Sequence, residues 1–267
     1  MPNDVTESNR LSWNQIHHAR PGEPASYFVD GGTTLSPEEL AAAGDVRGRR
    51  VMQLACSCGD EALSWSQLGA SVTGVDISEV AIAMAVEKST ATGIPVDFVR
   101  ADMVALPDTL TDFDLIAMSW GAMCWVPDVT AFAASIAGRL KPGGSILIAD
   151  HHPVWEVLAV RGANHVEVTA DYFARTTPPP RAAIDNAKLP VGARDNPAAP
   201  TTFVAFVWPP SDIITALLAA GLTLTAFQEA PVAEMYAGLG PTATYLPATY
   251  LIHATRNVSH ETSPASP

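Results

Sequence analysis

Basic residues are scarce in this chain: 15 Lys and Arg stand against 28 Asp and Glu in 267 residues, a formal net charge of −13. The isoelectric point is near 4.8. Such a surface repels a phosphate backbone, so nucleic acid is not an expected partner. Cysteine is equally sparse. Cys56, Cys58 and Cys124 cannot build a disulfide framework, and Cys-Ser-Cys lacks the spacing and partners of a zinc site, so no metal is expected. No apolar run reaches membrane-spanning length and no charged-then-apolar leader opens the chain. The expectation is therefore a cytoplasmic protein with no membrane partner. Glycine is missing where a dinucleotide would need it, as the turn described next shows.

What is present is organised around Arg50–Ser78. The run Val51-Met52-Gln53-Leu54-Ala55 reads as a buried parallel strand. The turn Cys56-Ser57-Cys58-Gly59 follows, then a helix from about Asp60 that stops at Gly69, then a second strand from Ser71 to Val75 ending in Asp76. Strand, small turn, helix, strand and terminal acid is the layout of a nucleotide-binding βαβ unit, with the acid accepting from ribose hydroxyls. Only Gly59 is available for the three glycines of a dinucleotide fingerprint, and Asp60-Glu61 would repel a pyrophosphate there. A ligand with a ribose, no phosphate and a positive sulfonium, S-adenosylmethionine, fits better. Taken alone, Asp76 could equally be a cap for the next helix.

The stretch Val51–Ser78 resembles motif I and its continuation in class I S-adenosylmethionine-dependent methyltransferases, in a bacterial small-molecule subgroup with an L-x-C-x-x-G variant, here Leu54-Ala55-Cys56-Ser57-Cys58-Gly59. The similarity continues in order through Asp97–Met103, Phe113–Ile116, Trp125–Asp128 and Leu140–Gly144, covering roughly Gly48 to Asp150. The chain departs from the family where Gln53 replaces the usual acid at the end of the first strand and Ala55 and Ser57 replace glycines. The resemblance implies a Rossmann-like α/β fold, a mixed seven-stranded sheet with helices on both faces. It implies S-adenosylmethionine as cofactor and S-adenosylhomocysteine as product. Carried onto these positions, the cofactor would be held by Ala55, Cys56, Ser57, Gly59, Asp76, Ile77, Asp102, Met103, Ser119 and Trp120. In the family the segment before the first strand lies over the cofactor, which makes Trp13, His17, His18, Tyr27 and Phe28 candidates for pocket lining; packing on the core is the alternative for each.

Along the chain, residues up to about Asn9 are polar and read as disordered. A short amphipathic helix is expected over Leu11–Ala19, a loop over Arg20–Gly32, and a helix opened by Ser36-Pro37-Glu38-Glu39 and ending near Gly44. Helices are expected over Glu79–Ala91 and Pro127–Leu140, the latter with a continuous apolar stripe that is core and not a site. Strands are expected over Pro95–Arg100, Phe113–Met118, Ser145–Ala149 and Phe203–Trp208. Leu222–Gln228 and Thr249–Arg256 read as an antiparallel pair at the sheet edge.

Asp150-His151-His152-Pro153 leaves the fifth strand where open parallel sheets bind ligands. A hydroxyl or ammonium acceptor must lose a proton, and histidine is matched to take it near neutral pH, so His151 and His152 are the catalytic candidates. The proline-broken stretch from Trp155 to about Pro200 reads as a substrate cap, an interface or a loop. Trp155, Tyr172 and, beside the last hairpin, Tyr236 are candidate substrate contacts. The expected organisation is a helical substrate region over 1–45, a core over 46–257 with an insertion at about 155–202, and a disordered tail over 258–267. The expected function is methyl transfer to a small molecule, in the manner of specialised-metabolite and antibiotic biosynthesis, by a monomer or homodimer. A non-catalytic cofactor-binding protein and, less favoured, a nicotinamide-dependent dehydrogenase are the alternatives.

Overall fold

The computed structural model describes residues 2–163, 165–173 and 203–258. Its centre is a seven-stranded sheet in the order β3-β2-β1-β4-β5-β9-β8. Strands β1 (Arg50–Leu54), β2 (Ser71–Asp76), β3 (Asp97–Arg100), β4 (Phe113–Ser119) and β5 (Leu140–His151) run parallel. β8 (Leu222–Ala230) and β9 (Thr249–Arg256) close one edge antiparallel. The chain leaves β1 for β2 on one side and reaches β4 on the other, so strand order reverses at β1. A crevice opens outside the carboxyl ends at that reversal, the usual ligand position in open α/β sheets.

Parallel strands covered on both faces need apolar residues at successive positions, and β1 is buried throughout after Arg50. On one face Met52, Leu54, Ile116 and Ile148 meet α6 (Val129–Arg139) and α8 (Pro210–Ala219). On the other, Val51, Leu115, Ala117 and Leu147 pack with Ala43 of α3 (Pro37–Ala43) and Trp65 of α4 (Asp60–Gln67). Phe132 and Ile136, fully buried on α6, each contribute on the order of 2 kcal/mol through the apolar surface they remove from water. Helix starts follow their caps. Ser36 and Glu39 form a reciprocal capping box at α3, Ser78 caps α5 (Glu79–Thr92), and Asp128 accepts from Thr130 and Ala131 N–H at α6.

Several expectations need correction. The first residues are ordered: α1 runs Pro2–Ile16 and continues as a 3-10 turn over His17–Ala19. Long-range bonds account for this. The Asn9 side chain exchanges two 2.9 Å hydrogen bonds with the backbone of Val204, and Arg10 bridges Glu7 and Glu79 at 2.6 Å each. Within the expected loop 20–32, Ala25–Val29 forms a short helix, α2. The α6 helix begins at Val129, after its Asp128 cap, and Leu140 already pairs with Phe113 as the first residue of β5. The segment Phe203–Trp208 is extended but joins no sheet. Its backbone bonds go instead to Asn9 and to the Cys124 carbonyl, which accepts from Phe206 N–H at 2.7 Å.

After β5, α7 (Pro153–Val157) leads into a two-stranded hairpin, β6 (Leu158–Val160) and β7 (Val166–Val168). The rest of the expected insertion, 174–202, and the tail from 259 onward lie outside the described residues. No described helix is long and apolar enough to cross a membrane.

Candidate functional site

The turn between β1 and α4 keeps a glycine-like path without the glycines. Ala55 and Ser57 have φ of 47° and 48°, and Gly59 follows at 91°. A left-handed conformation costs an L-residue about 1–2 kcal/mol, so something has to hold it. One Asp76 oxygen accepts from Ser57 N–H at 2.9 Å, and Cys56 N–H donates to the Val75 carbonyl at 3.0 Å. Glycine is favoured at Gly59 for a further reason: a Cβ there would crowd both Ala85 and the Phe98 ring at 3.0 Å. The other Asp76 oxygen accepts from Ser78 N–H at 2.9 Å. The carboxylate therefore ties the turn to the start of α5 while lining the crevice, so its two alternative readings are compatible.

The far wall is built by the loop after β4. Asp150, 2% exposed, accepts from the N–H groups of Ala122 (3.1 Å), Met123 (2.7 Å) and His151 (2.6 Å), and also from Gly121. Trp120 N–H donates to the Ala149 carbonyl at 2.9 Å. This clamp holds Trp120 at φ 53°, with the residue 40% exposed at the rim. The roof is α1 and its 3-10 extension. Thr6, Asn9, Trp13, His17 and Arg20 recur at spacings of three and four, one helical face, and all line the crevice.

The resulting cleft measures about 820 Å³ with its open mouth, within the range of small-molecule sites. Of the cofactor candidates, Ala55, Ser57, Asp76 and Ile77 line it, and so do Asp102, Met103, Ser119 and Trp120. Cys56 and Gly59 belong to the same turn, joined by a 2.8 Å bond from Gly59 N–H to the Cys56 carbonyl, but are not among the residues that line the cleft. Trp13 and His17 are on its wall. The other candidate residues are elsewhere. Tyr27 donates to the Thr33 carbonyl at 2.7 Å. Tyr236, 1% exposed, donates to the Pro247 carbonyl at 2.9 Å. Trp155 packs with it in a satellite core and donates its indole N–H to the Met235 carbonyl at 3.0 Å. Tyr172 stands edge-on to Phe173.

The two histidines after β5 part company. His152 is buried, its Nδ1 accepts from Val154 N–H at 3.1 Å to cap α7, and its Nε2 meets Glu229 at 2.8 Å. Both nitrogens are committed to structure, so the proton-acceptor role expected of it has no free atom to act through. His151 lies beyond Gly121, in a second cavity of about 300 Å³, with its ring 6.1 Å from Trp120 and 5.2 Å from Trp155. Sequence reasoning missed Asp150, Asn9, Arg20 and Trp125. The three-and-four spacing of Asn9, Trp13, His17 and Arg20 was a usable signal for two of these.

Electrostatics separate the acids around the turn. Asp60 pairs with Lys88 and accepts from Glu23 N–H at 2.8 Å. Burial raises the pKa of Asp76 and Asp102 above the ordinary carboxylate value, and neither has a Lys or Arg ion-pair partner among the described residues. Burial also raises the thiols, Cys58 to about 11, which makes them poor nucleophiles. Glu61 is pushed up to about 7, by burial first and then by Asp60 and Glu39. A folded-state value above the unfolded one favours the protonated fold. That contribution is complete below about pH 4.5 and is lost as pH rises through 7. E61Q should therefore gain about 1–2 kcal/mol over the parent at pH 8, after allowing for the favourable helix-dipole position, and almost nothing at pH 4. Urea midpoints at the two pH values check this, and equal differences at both would refute it.

Residues 51–144 match a family described as a methyltransferase domain. The ubiquinone biosynthesis O-methyltransferase of Rhodopseudomonas palustris (strain BisB18) is 32% identical over 176 residues, 62% of this chain and 68% of that protein. Phthiotriol/phenolphthiotriol dimycocerosates methyltransferase 1 of Mycobacterium ulcerans is 30% identical over 115 residues, 42% of this chain and 41% of that protein. The chain spans about half the length of several curated relatives it matches. Among solved structures, an S-adenosylmethionine dependent methyltransferase from Mesorhizobium loti superposes with a TM-score of 0.60 at 23% identity, over 85% of this chain and 100% of that one. The likeness to that structure is one of fold.

Proposed function

The chain belongs to the class I S-adenosylmethionine-dependent methyltransferases, and on that premise we propose that it transfers a methyl group from S-adenosylmethionine to a small-molecule acceptor. One observation carries the reading: two cation-free carboxylates, Asp76 and Asp102, face a single cleft beside a left-handed turn at the point where strand order reverses. The residues fit the cofactor. Asp76 offers acceptor oxygens to ribose hydroxyls. Asp102 and Met103, which line the same cleft as Val75, Ile77 and Ala101, would meet the base. The turn offers backbone at Ala55 and Ser57 without demanding a phosphate. When bound, the cofactor supplies an electrophilic methyl group on a sulfonium, open to in-line displacement.

The chain's own contribution is orientation and exclusion of water. The N-terminal region, 1–45, acts as cover over a core of 46–257, with α1 closing the cleft through the Asn9–Val204 bonds. Trp120 guards the mouth. His151 meets an acceptor that extends past Gly121 into the second cavity. The rings along the cover favour a specialised metabolite, and nitrogen, oxygen and electron-rich carbon are all chemically open as the methylated atom. Calorimetric titration with S-adenosylmethionine, and separately with S-adenosylhomocysteine, tests the premise for this chain. Micromolar binding of both is expected. No heat with either would reduce the reading to a shared fold.

A further inference from the structure

The cleft has two chemically different walls. The sheet-edge wall carries the carboxylates and, on the reading above, holds the cofactor. The opposite wall, from α1 and the loop after β4, carries rings. Trp13 is stacked on His17 at 5.1 Å, meets the edge of Trp125 at 5.4 Å and lies 5.2 Å from Phe203. Those contacts fix the Trp13 plane before any ligand arrives. Trp13, Trp125 and Trp120 all line the cleft, so a flat guest would be met by rings with little ordering cost.

His17 is the polar group on this wall. It is 2% exposed, and its Nδ1 is sealed from solvent with no hydrogen-bond partner. Nε2 also lacks a partner among the described residues, and the ring lines the cleft. Nδ1 is closed to a guest in the cleft, so the bond a guest can make is at Nε2, where one neutral hydrogen bond is worth about 0.5–1.5 kcal/mol. Burial, with Arg20 and His18 adding to it, lowers the imidazole pKa to about 4, so the ring is neutral across the physiological range. A neutral imidazole donates at one nitrogen and accepts at the other, so Nε2 does one or the other according to tautomer, and the ring adds no positive charge next to a sulfonium. The guest group that suits either tautomer is one that both donates and accepts, a hydroxyl.

We infer that the Trp13–His17–Trp125 wall is the acceptor subsite, and that it takes a planar aromatic molecule whose ring hydroxyl hydrogen-bonds to His17. This deepens the methyltransferase reading and rests on it. The site thereby selects a hydroxyaromatic over aliphatic or cationic acceptors, with Arg20, 5.4 Å over the Trp13 ring, disfavouring a second cation.

The test is a binding measurement on the full chain saturated with S-adenosylhomocysteine, using 2-naphthol and its near-isostere 2-methylnaphthalene, read by quenching of tryptophan fluorescence. Water-to-protein transfer alone favours the methyl compound. The expected result is the reverse in the parent: 2-naphthol about tenfold tighter, the size of one neutral hydrogen bond. In H17F, which keeps the stacked ring and removes both nitrogens, the order should invert, and in H17N part of the hydroxyl preference should return. No binding of 2-naphthol to the parent, or no hydroxyl preference in it, overturns the inference, as does a preference that survives in H17F. If H17F fails to fold, the parent comparison still decides. Failure of S-adenosylhomocysteine to bind would instead strike the cofactor reading, so the two failures are distinguishable.

Discussion

Replacing Asp150 with alanine should cost about 3–5 kcal/mol of stability and release the loop that forms the far wall of the cleft. The side chain is 2% exposed and accepts from four backbone N–H groups, those of Gly121, Ala122, Met123 and His151. Each unpaired buried N–H costs about 1–3 kcal/mol, and the four are not additive, because a freed loop recovers some bonds with water. Trp120 is held at φ 53° by the same clamp, so relaxing the loop also relieves about 1–2 kcal/mol of backbone strain, and that relief favours the open loop. D150N keeps one accepting oxygen and should fall between parent and alanine variant. Urea unfolding gives the stability, and amide exchange at residues 121–123 locates the loss. Unchanged exchange there in D150A would sink the account. In sequence, Asp150 looked like a prelude to the two histidines. Its effect on the cleft runs through the loop it holds.

The second large effect is on ligand binding. D76A should weaken S-adenosylhomocysteine by about 100-fold or more, since each hydrogen bond to a charged carboxylate is worth about 1.5–3 kcal/mol and a ribose presents two hydroxyls. The variant also loses the bonds from Ser57 and Ser78 N–H, which would loosen the turn and α5 by about 1–3 kcal/mol. Those two consequences separate experimentally. Thermal unfolding of the free variant reports the turn, and calorimetry well below its melting point reports the ligand. D76N, which keeps shape and one good acceptor, should preserve most of the stability while still losing about tenfold or more in affinity. A loss of less than threefold in D76N and D76A alike would remove Asp76 from the cofactor's partners and leave it as a helix and turn clamp.

What the sequence alone determined is what local chemistry determines. Alternation and apolar runs marked β1, β2 and β4 because a strand covered on both faces needs apolar residues at successive positions. Ser36-Pro37-Glu38-Glu39 marked a helix start because a short side-chain oxygen satisfies N–H groups two or three residues on, and proline suits the first turn. Asp76 was legible because it ends a parallel strand, where ligands meet this topology, and Asp102, two residues past β3, through the family resemblance. The turn was legible too, although Ala55 and Ser57 are not glycines, since small residues between two strands leave the backbone few paths.

Tertiary structure decided the rest, and each case turns on a partner far away in the chain. The polar N-terminus folds because Asn9 finds Val204, 195 positions distant, and no local pattern encodes that bond. Phe203–Trp208 has the composition of a strand, yet its hydrogen bonds go to α1 and Cys124, so it pins the helix that roofs the cleft and does not extend the sheet. His151 and His152 are adjacent and chemically identical. The strand's alternation turns one toward a second cavity and the other into a cap paired with Glu229. Tyr236 and Trp155, expected from their place in the chain to be binding residues, pack in a satellite core. Residue type and spacing set which chemistry is available; which atoms remain free to perform it depends on where their bonds have already been spent, and that is a property of the folded chain.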